Sequence, residues 1–338
     1  MDQERGLLHR VEKSGGWISL RDYMAYALYN SEIGYYSTRV SDVGKNGDFS
    51  TTATLSNILS RALVSRYWAL CRSHGYQYPV IEIGGGDGSL ARNIKCALGF
   101  WKSLRVEYYL VETSQPLRER QRAKAGRFIH HAATPGEALE QCGGRAFIIS
   151  NELVDAFPAR IFIRGDREWE ELGLALKEGR LFPEARSVLA ENLPDSTLWE
   201  GDFPLRQQVE IHESFRDWCD VWAPLWKCGE MITVDYGAAR EDLYYRRPRG
   251  TLRGYLNHQR LEGLALFRRP GSMDLTCDVN FSDLISWGEY RGWRTAALTS
   301  QRDFLLPFSH GTDADLFLTH AAGAGTAFMV LIQRCGEE

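Results

Sequence analysis

The stretch that most constrains this chain is Val80-Ile81-Glu82-Ile83-Gly84-Gly85-Gly86-Asp87-Gly88-Ser89. An apolar run ends in glycines and a helical pattern follows at once, which reads as a strand, a tight turn and a helix N-terminus. Glycines 84, 86 and 88 follow an acidic residue in the spacing E-x-G-x-G-x-G. A dinucleotide fingerprint asks for G-x-G-x-x-G/A, and the third small position falls on Ser89 instead. Bare backbone beside a carboxylate suits S-adenosylmethionine (SAM), which carries an ammonium and no pyrophosphate. Glu112 closes the apolar segment Tyr108-Tyr109-Leu110-Val111, where a carboxylate at the end of a second strand can accept both ribose hydroxyls. Together these favour a nucleoside cofactor, with SAM ahead of NAD. Gly84, Gly86, Gly88, Glu82 and Glu112 are its expected contacts.

The 338 residues exceed one average domain but fit one α/β core with additions. A net charge of −4 predicts neither a nucleic-acid nor a membrane partner. Seven dispersed cysteines without a C-x-x-C pair read as reduced thiols, so a cytoplasmic setting is expected, or the mitochondrial matrix for a processed eukaryotic chain. There is no apolar run of about 18 residues, and the first residues lack the apolar stretch of a signal peptide.

Strand signals at Val80–Ile83, Glu107–Glu112, Phe128–His131, Ala146–Ser150 and Met231–Asp235 alternate with helical patterns, including one at Pro116–Arg127. This predicts an α/β, doubly wound, Rossmann-like sheet. Residues 1–75 read as a mostly helical cover and 76–338 as the core, with insertions at about 159–228 and 237–278. The first insertion is expected to hold an antiparallel patch at Ile161–Ile163, Trp169–Ala175 and Arg180–Leu181, then a helix over Leu205–Trp226. Phe304–Leu306 and Ala327–Gln333 are expected to supply the last strands. The run Arg246, Arg247, Arg249 and Arg253 reads as a solvated face.

Asn151, Glu152 and Asp155 follow the fourth strand directly, at the edge where open α/β sheets bind ligands. Helix capping would explain one of them; two carboxylates and an amide suggest chemistry. Gly47-Asp48-Phe49 reads equally as a binding loop or an ordinary one. His258 is a reserve base, and His130-His131 reads as strand-end structure. No metal-ligand spacing and no nucleophile elbow is present.

With these motifs in place, the chain resembles the MidA family of SAM-dependent methyltransferases. The matching segments run nearly end to end: Ile18-Ser19-Leu20-Arg21-Asp22-Tyr23-Met24, Gly34-Tyr35-Tyr36, Gly47-Asp48-Phe49, the glycine turn, Asn151 through Pro158, Asp235-Tyr236-Gly237, Thr251 through Tyr255 with His258, and Asp274 through Phe281. The resemblance implies a class I methyltransferase fold with a helical cover and an inserted substrate region. Its mitochondrial members methylate an arginine of a respiratory complex I subunit. By resemblance, Gly84, Gly86, Glu112 and the Asn151-Glu152 edge meet the cofactor, and Gly47, Asp48 and Phe49 belong to its cover. From their place at the strand edge Glu152 and Asp155, with His258 in reserve, are the catalytic candidates. The acceptor expected from the family is a protein arginine, and a homodimer is allowed. The chain departs from the family at Thr51-Thr52-Ala53-Thr54, where Thr-Ser-Pro-Glu is usual, and at Leu153-Val154, where paired phenylalanines are usual. Loss of that glutamate favours a small-molecule acceptor as the rival reading. A non-catalytic assembly factor is the third.

Overall fold

A computed structural model describes residues 2–39, 52–256 and 259–336. Gly47, Asp48, Phe49 and His258 lie outside the described residues.

The chain divides into two compact units. The larger comprises residues 41–153, 218–237 and 284–338. Its strands are β1 (Val80–Ile83), β2 (Tyr108–Val111), β3 (Ile129–Ala132), β4 (Arg145–Asn151), β5 (Cys228–Ala238), β6 (Arg294–Ser300) and β7 (Phe328–Cys335). They lie in the order β6-β7-β5-β4-β1-β2-β3. β5, β4, β1, β2 and β3 are parallel; β7 pairs antiparallel with both β5 and β6. The expected doubly wound sheet is therefore present with an antiparallel edge. Every residue of β1 and β2 is buried, as central parallel strands require. Strand order reverses at β1, which runs between β2 and β4, and a switch point of this kind opens a crevice beyond the strand ends.

Helix Ser89–Leu98 buries Leu90, Ala91, Ile94 and Leu98, one stripe at helical spacing. Helix Ile58–His74 buries Leu59, Leu63, Tyr67 and Leu70 into the same core, where Phe147 of β4 meets the Tyr67 ring edge-on at 5.6 Å. This shared core explains why the helix groups with the sheet, whereas the sequence suggested one cover over 1–75. Residues 1–40 group instead with the inserted segments, because Trp17–Ser19 pairs antiparallel with Trp169–Lys177.

The smaller unit comprises residues 1–40, 154–217 and 238–283. Arg160–Arg164, Trp169–Lys177 and Arg180–Ser187 form the expected antiparallel patch. Two expectations need correction. Leu205–Trp226 is not one helix: Gln208–Ile211 is a strand paired with Arg160–Arg164, and only Glu213–Trp222 is α-helical. Val209 and Ile211 are buried at alternate positions, the period of a strand, and the partner strand pairs their backbone. Phe304–Leu306 is likewise no strand. Gln301–Leu305 is a helix started by Ser300, whose hydroxyl accepts from the Asp303 amide, and the strand before it is β6.

Phe147 is 1% exposed, and Phe147→Ala is expected to destabilise the protein by about 3–5 kcal/mol through the cavity it leaves. A lower urea midpoint with unchanged denaturant slope would bear this out, and an unchanged midpoint would exclude it.

Candidate functional site

β1 and β4 end together, Ile83 pairing with Ser150, while β5 pairs with Asn151 at Val234 and runs on to Ala238. At the end of β1 the backbone turns through positive φ at Gly84 (69°), Gly86 (50°) and Gly88 (83°), a region that strains any side chain. Space is also short. A Cβ at Gly84 would sit 2.8 Å from Leu153 Cδ1, and one at Gly88 2.9 Å from the Gln121 backbone. The helix behind the turn starts with the Asp87 carboxylate accepting from the Ser89 amide at 2.9 Å. Lys124 pairs with Asp87 and also donates to the Ser89 hydroxyl at 3.0 Å.

Glu82 lies beneath the turn. It is 2% exposed and accepts from the Tyr108 hydroxyl at 2.6 Å. Burial pushes its carboxyl up to about 7 against the pull of that hydrogen bond. A Cβ at Gly85 would come within 3.0 Å of its Oε1, so Glu82 supports the turn from inside.

Glu112 follows β2. Its Oε1 accepts from the Ser114 amide at 2.8 Å, and its Oε2 stands 3.4 Å from the Gln121 amide nitrogen. Burial raises its pKa, opposed by the Ser114 and Thr113 amides, Gln121 and Arg118. Gln121 gave no sequence signal beyond an amide on the inward stripe of its helix. It is fully buried, and its Nε2 also donates to the Gly86 carbonyl at 2.8 Å. His131 of β3 meets its Oε1 at 2.8 Å. The two-histidine motif is thus strand structure, as expected, with one ring turned to the site's support.

At the last residue of β4, Asn151 donates from Nδ2 to Glu152 Oε1 at 3.3 Å. Its own Oδ1 is buried and has no hydrogen-bond partner among the described residues; the same holds for the Ser150 hydroxyl. Glu152 stands at φ 49°. Its Oε1 also accepts from the Thr52 amide at 2.9 Å, where helix Thr52–Leu55 begins. Asp235 was expected to end β5 at this edge. It is fully buried and accepts from the Leu153 and Tyr236 amides, at 3.1 and 2.8 Å, which fixes the path out of β4.

Asp155 belongs to the smaller unit. Its Oδ2 accepts from the Thr276 hydroxyl at 2.8 Å, and its carbonyl accepts from the Cys277 amide at 3.2 Å. Asp274 accepts from the Tyr36 hydroxyl at 2.7 Å, and the Tyr36 ring stacks on Tyr29 at 5.5 Å. Burial first, then the Asp155 charge, pushes Asp274 up to about 7. Burial likewise raises Asp155, opposed by Thr276 and Arg253. Arg253 departs from the expected solvated face: it is 5% exposed and pairs with Asp278 at 2.5 Å. Arg246, Arg247 and Arg249 are exposed as expected, and Arg247 also pairs with Asp278. Among the described residues, no group of three or more His, Cys, Asp or Glu could hold a metal, and no helix is long and apolar enough to cross a membrane.

A family model described as "Putative S-adenosyl-L-methionine-dependent methyltransferase" matches residues 58–299. Protein arginine methyltransferase NDUFAF7, mitochondrial, from Homo sapiens is 26% identical over 310 residues, which is 83% of this chain and 67% of that protein. Its homolog from Drosophila melanogaster is 27% identical over 315 residues, 82% of this chain and 68% of that one. A crystal structure from Burkholderia thailandensis, bound to S-adenosyl-homocysteine, superposes with a TM-score of 0.88 at 26% identity and covers 100% of this chain and 92% of that one. A second from the same organism gives 0.84 at 25% identity, with the same coverage. The order of the sheet, the glycine turn at its switch point and the match over most of the length agree: the chain belongs to the family of S-adenosyl-L-methionine-dependent methyltransferases.

Proposed function

We propose that this enzyme methylates a nitrogen of an arginine side chain in a protein, with the cofactor held by the glycine turn, Glu112 and Asn151. The residues at this edge fit SAM. The buried, unpartnered Asn151 Oδ1 is an acceptor suited to an ammonium or an adenine amine, and leaving such an atom unmatched is costly. Glu112 has Oε1 engaged by the Ser114 amide and retains acceptor capacity for a ribose diol. Side chains at Gly84 and Gly88 would crowd neighbours that define the turn. Glu82 acts from below, through the turn it supports.

The arginine acceptor rests on the names of the relatives and on one observation, the buried Tyr36–Asp274 pair near Asp155. A guanidinium is well matched by carboxylates in fixed positions, and tyrosine rings accept its flat face. SAM supplies an activated methyl on a sulfonium. The acceptor nitrogen forms the new bond to that carbon as the sulfur–carbon bond breaks, and the electron pair of that bond stays on sulfur. The nitrogen's proton passes to a carboxylate, for which Asp155 is the candidate. Glu152, already bonded to the Thr52 amide, fixes the first residue of helix Thr52–Leu55. Seven free thiols fit a reducing compartment; the curated relatives are named as mitochondrial.

Three outcomes test this reading. Glu112→Gln is expected to weaken SAM binding by about 1.5–3 kcal/mol, the range for a charge-assisted hydrogen bond; an unchanged calorimetric Kd in the folded variant rejects the ribose assignment. Incubation of a proteome extract with radiolabelled SAM should place label on protein arginine. Label confined to the small-molecule fraction would overturn the arginine acceptor and favour the metabolite reading suggested by Thr54. Labelling should also rise with pH through about 7 as Asp274 ionises and becomes able to hold a cation. Asp274→Asn should lower the rate and flatten that rise; an equally steep rise in the variant would remove Asp274 from the acceptor site.

A further inference from the structure

We propose that Gln121 is a positioning residue of the cofactor site, tying the glycine turn to Glu112 through one amide that His131 orients. The proposal rests on the reading that Glu112 holds the ribose.

Helix Gln115–Ala125 buries only Leu117, Gln121 and Ala125, a stripe at four-residue spacing. An amide at the centre of such a stripe costs stability unless its groups are bonded. Here all are engaged, on three separate elements. The Gly86 carbonyl can only accept, so the amide nitrogen must face it. Oε1 then faces His131, which fixes a proton on His131 Nε2 as the donor. The second amide hydrogen is left for Glu112 Oε2 at 3.4 Å. The side chain has no alternative orientation that satisfies all three, and the helix backbone abuts Gly88 too closely to shift inward. Turn and carboxylate, which meet different parts of the cofactor, are therefore set by one group.

This arrangement also tunes Glu112. The charged group beside it is Arg118, whose Nε donates to the Glu112 carbonyl at 2.6 Å; beyond Gln121 stand Arg122 and His131, whose pKa is lowered by burial and by the two arginines. On the turn side, Asp87 and Lys124 are paired with each other. Gln121 is one of the donors that keep the buried carboxyl ionised. Without it the carboxyl holds its proton to higher pH, and affinity for a diol falls as pH is lowered.

The test is calorimetric titration of the full chain with SAM at pH 8 and pH 6. Gln121→Met keeps side-chain length and removes the polar contacts. It should bind about tenfold more weakly at pH 8, the effect of roughly one hydrogen bond to a charged group, and weaker still at pH 6, while the wild type changes less between the two. A Kd equal to wild type at both pH values, or the same fold loss at both, overturns the proposal. Glu112→Gln separates it from the reading it rests on: if Glu112→Gln weakens binding and Gln121→Met does not, the strut alone fails; if Glu112→Gln binds normally, the ribose assignment fails first. Should Gln121→Met not fold, the half-buried His131 offers the other end. His131→Leu should weaken SAM by about threefold, an orienting partner being worth less than the direct contact, and an unchanged Kd there overturns the proposal.

Discussion

The larger unit depends on one constraint: the backbone leaving β1 must turn in the left-handed region while packed against neighbours on both sides. Only glycine meets both demands. The close approach of Leu153 on one side and the Gln121 backbone on the other gives the turn a single path. That path places bare amides and carbonyls at the switch point of the sheet, where β2, β1 and β4 present their carboxyl ends. Helix Ser89–Leu98 can then start at once, with Asp87 satisfying its first amide.

Buried carboxylates act throughout as internal ties. Glu82 holds Tyr108 beneath the turn, and Asp235 collects two amides at the exit of β4. Glu230, fully buried, receives Arg66 at 2.5 and 2.6 Å and Arg334 at 3.0 Å. In the smaller unit Glu210 accepts from the Thr251 amide and hydroxyl at 2.7 and 3.1 Å, and Asp278 takes two arginines. A buried charge is tolerated only when partners surround it. Against that pattern the unmatched Asn151 Oδ1 stands out, because it lies at the carboxyl end of β4, on the edge proposed above for the cofactor. Asp274 differs in another way. Its side-chain hydrogen-bond partner is the neutral Tyr36, and burial holds its proton into the neutral range, which makes its charge conditional on what it meets.

The parallel strands, the glycine turn and Glu112 were legible in the sequence because each is a local pattern. A fully buried parallel strand is a continuous apolar run, and a strand-to-helix turn with positive φ must be written in glycine. The antiparallel patch in the first insertion was legible for the same reason: its strands are short runs of β-branched, aromatic and aliphatic residues separated by polar and glycine-containing turns. The helix expected over Leu205–Trp226 failed in its first part because Gln208-Val209-Glu210-Ile211 alternates with the period of a strand, a run of four residues too short to stand out beside the helical pattern that follows, and the partner strand Arg160–Arg164 completes it.

What the sequence by itself determined is the succession of the parallel strands along the chain, the glycine turn after the first of them and the polar residues that stand at their carboxyl ends. Tertiary structure decided the rest, because those roles are set by distance across the fold rather than along the chain. Gln121 meets Gly86 and His131, Glu152 meets the Thr52 amide, and Asp274 meets Tyr36, 238 residues away in sequence. Arg253 likewise looks like a surface charge in its run of arginines until Asp278 is seen beside it. A polar side chain acquires its function from the group that satisfies it, and no local pattern names that group.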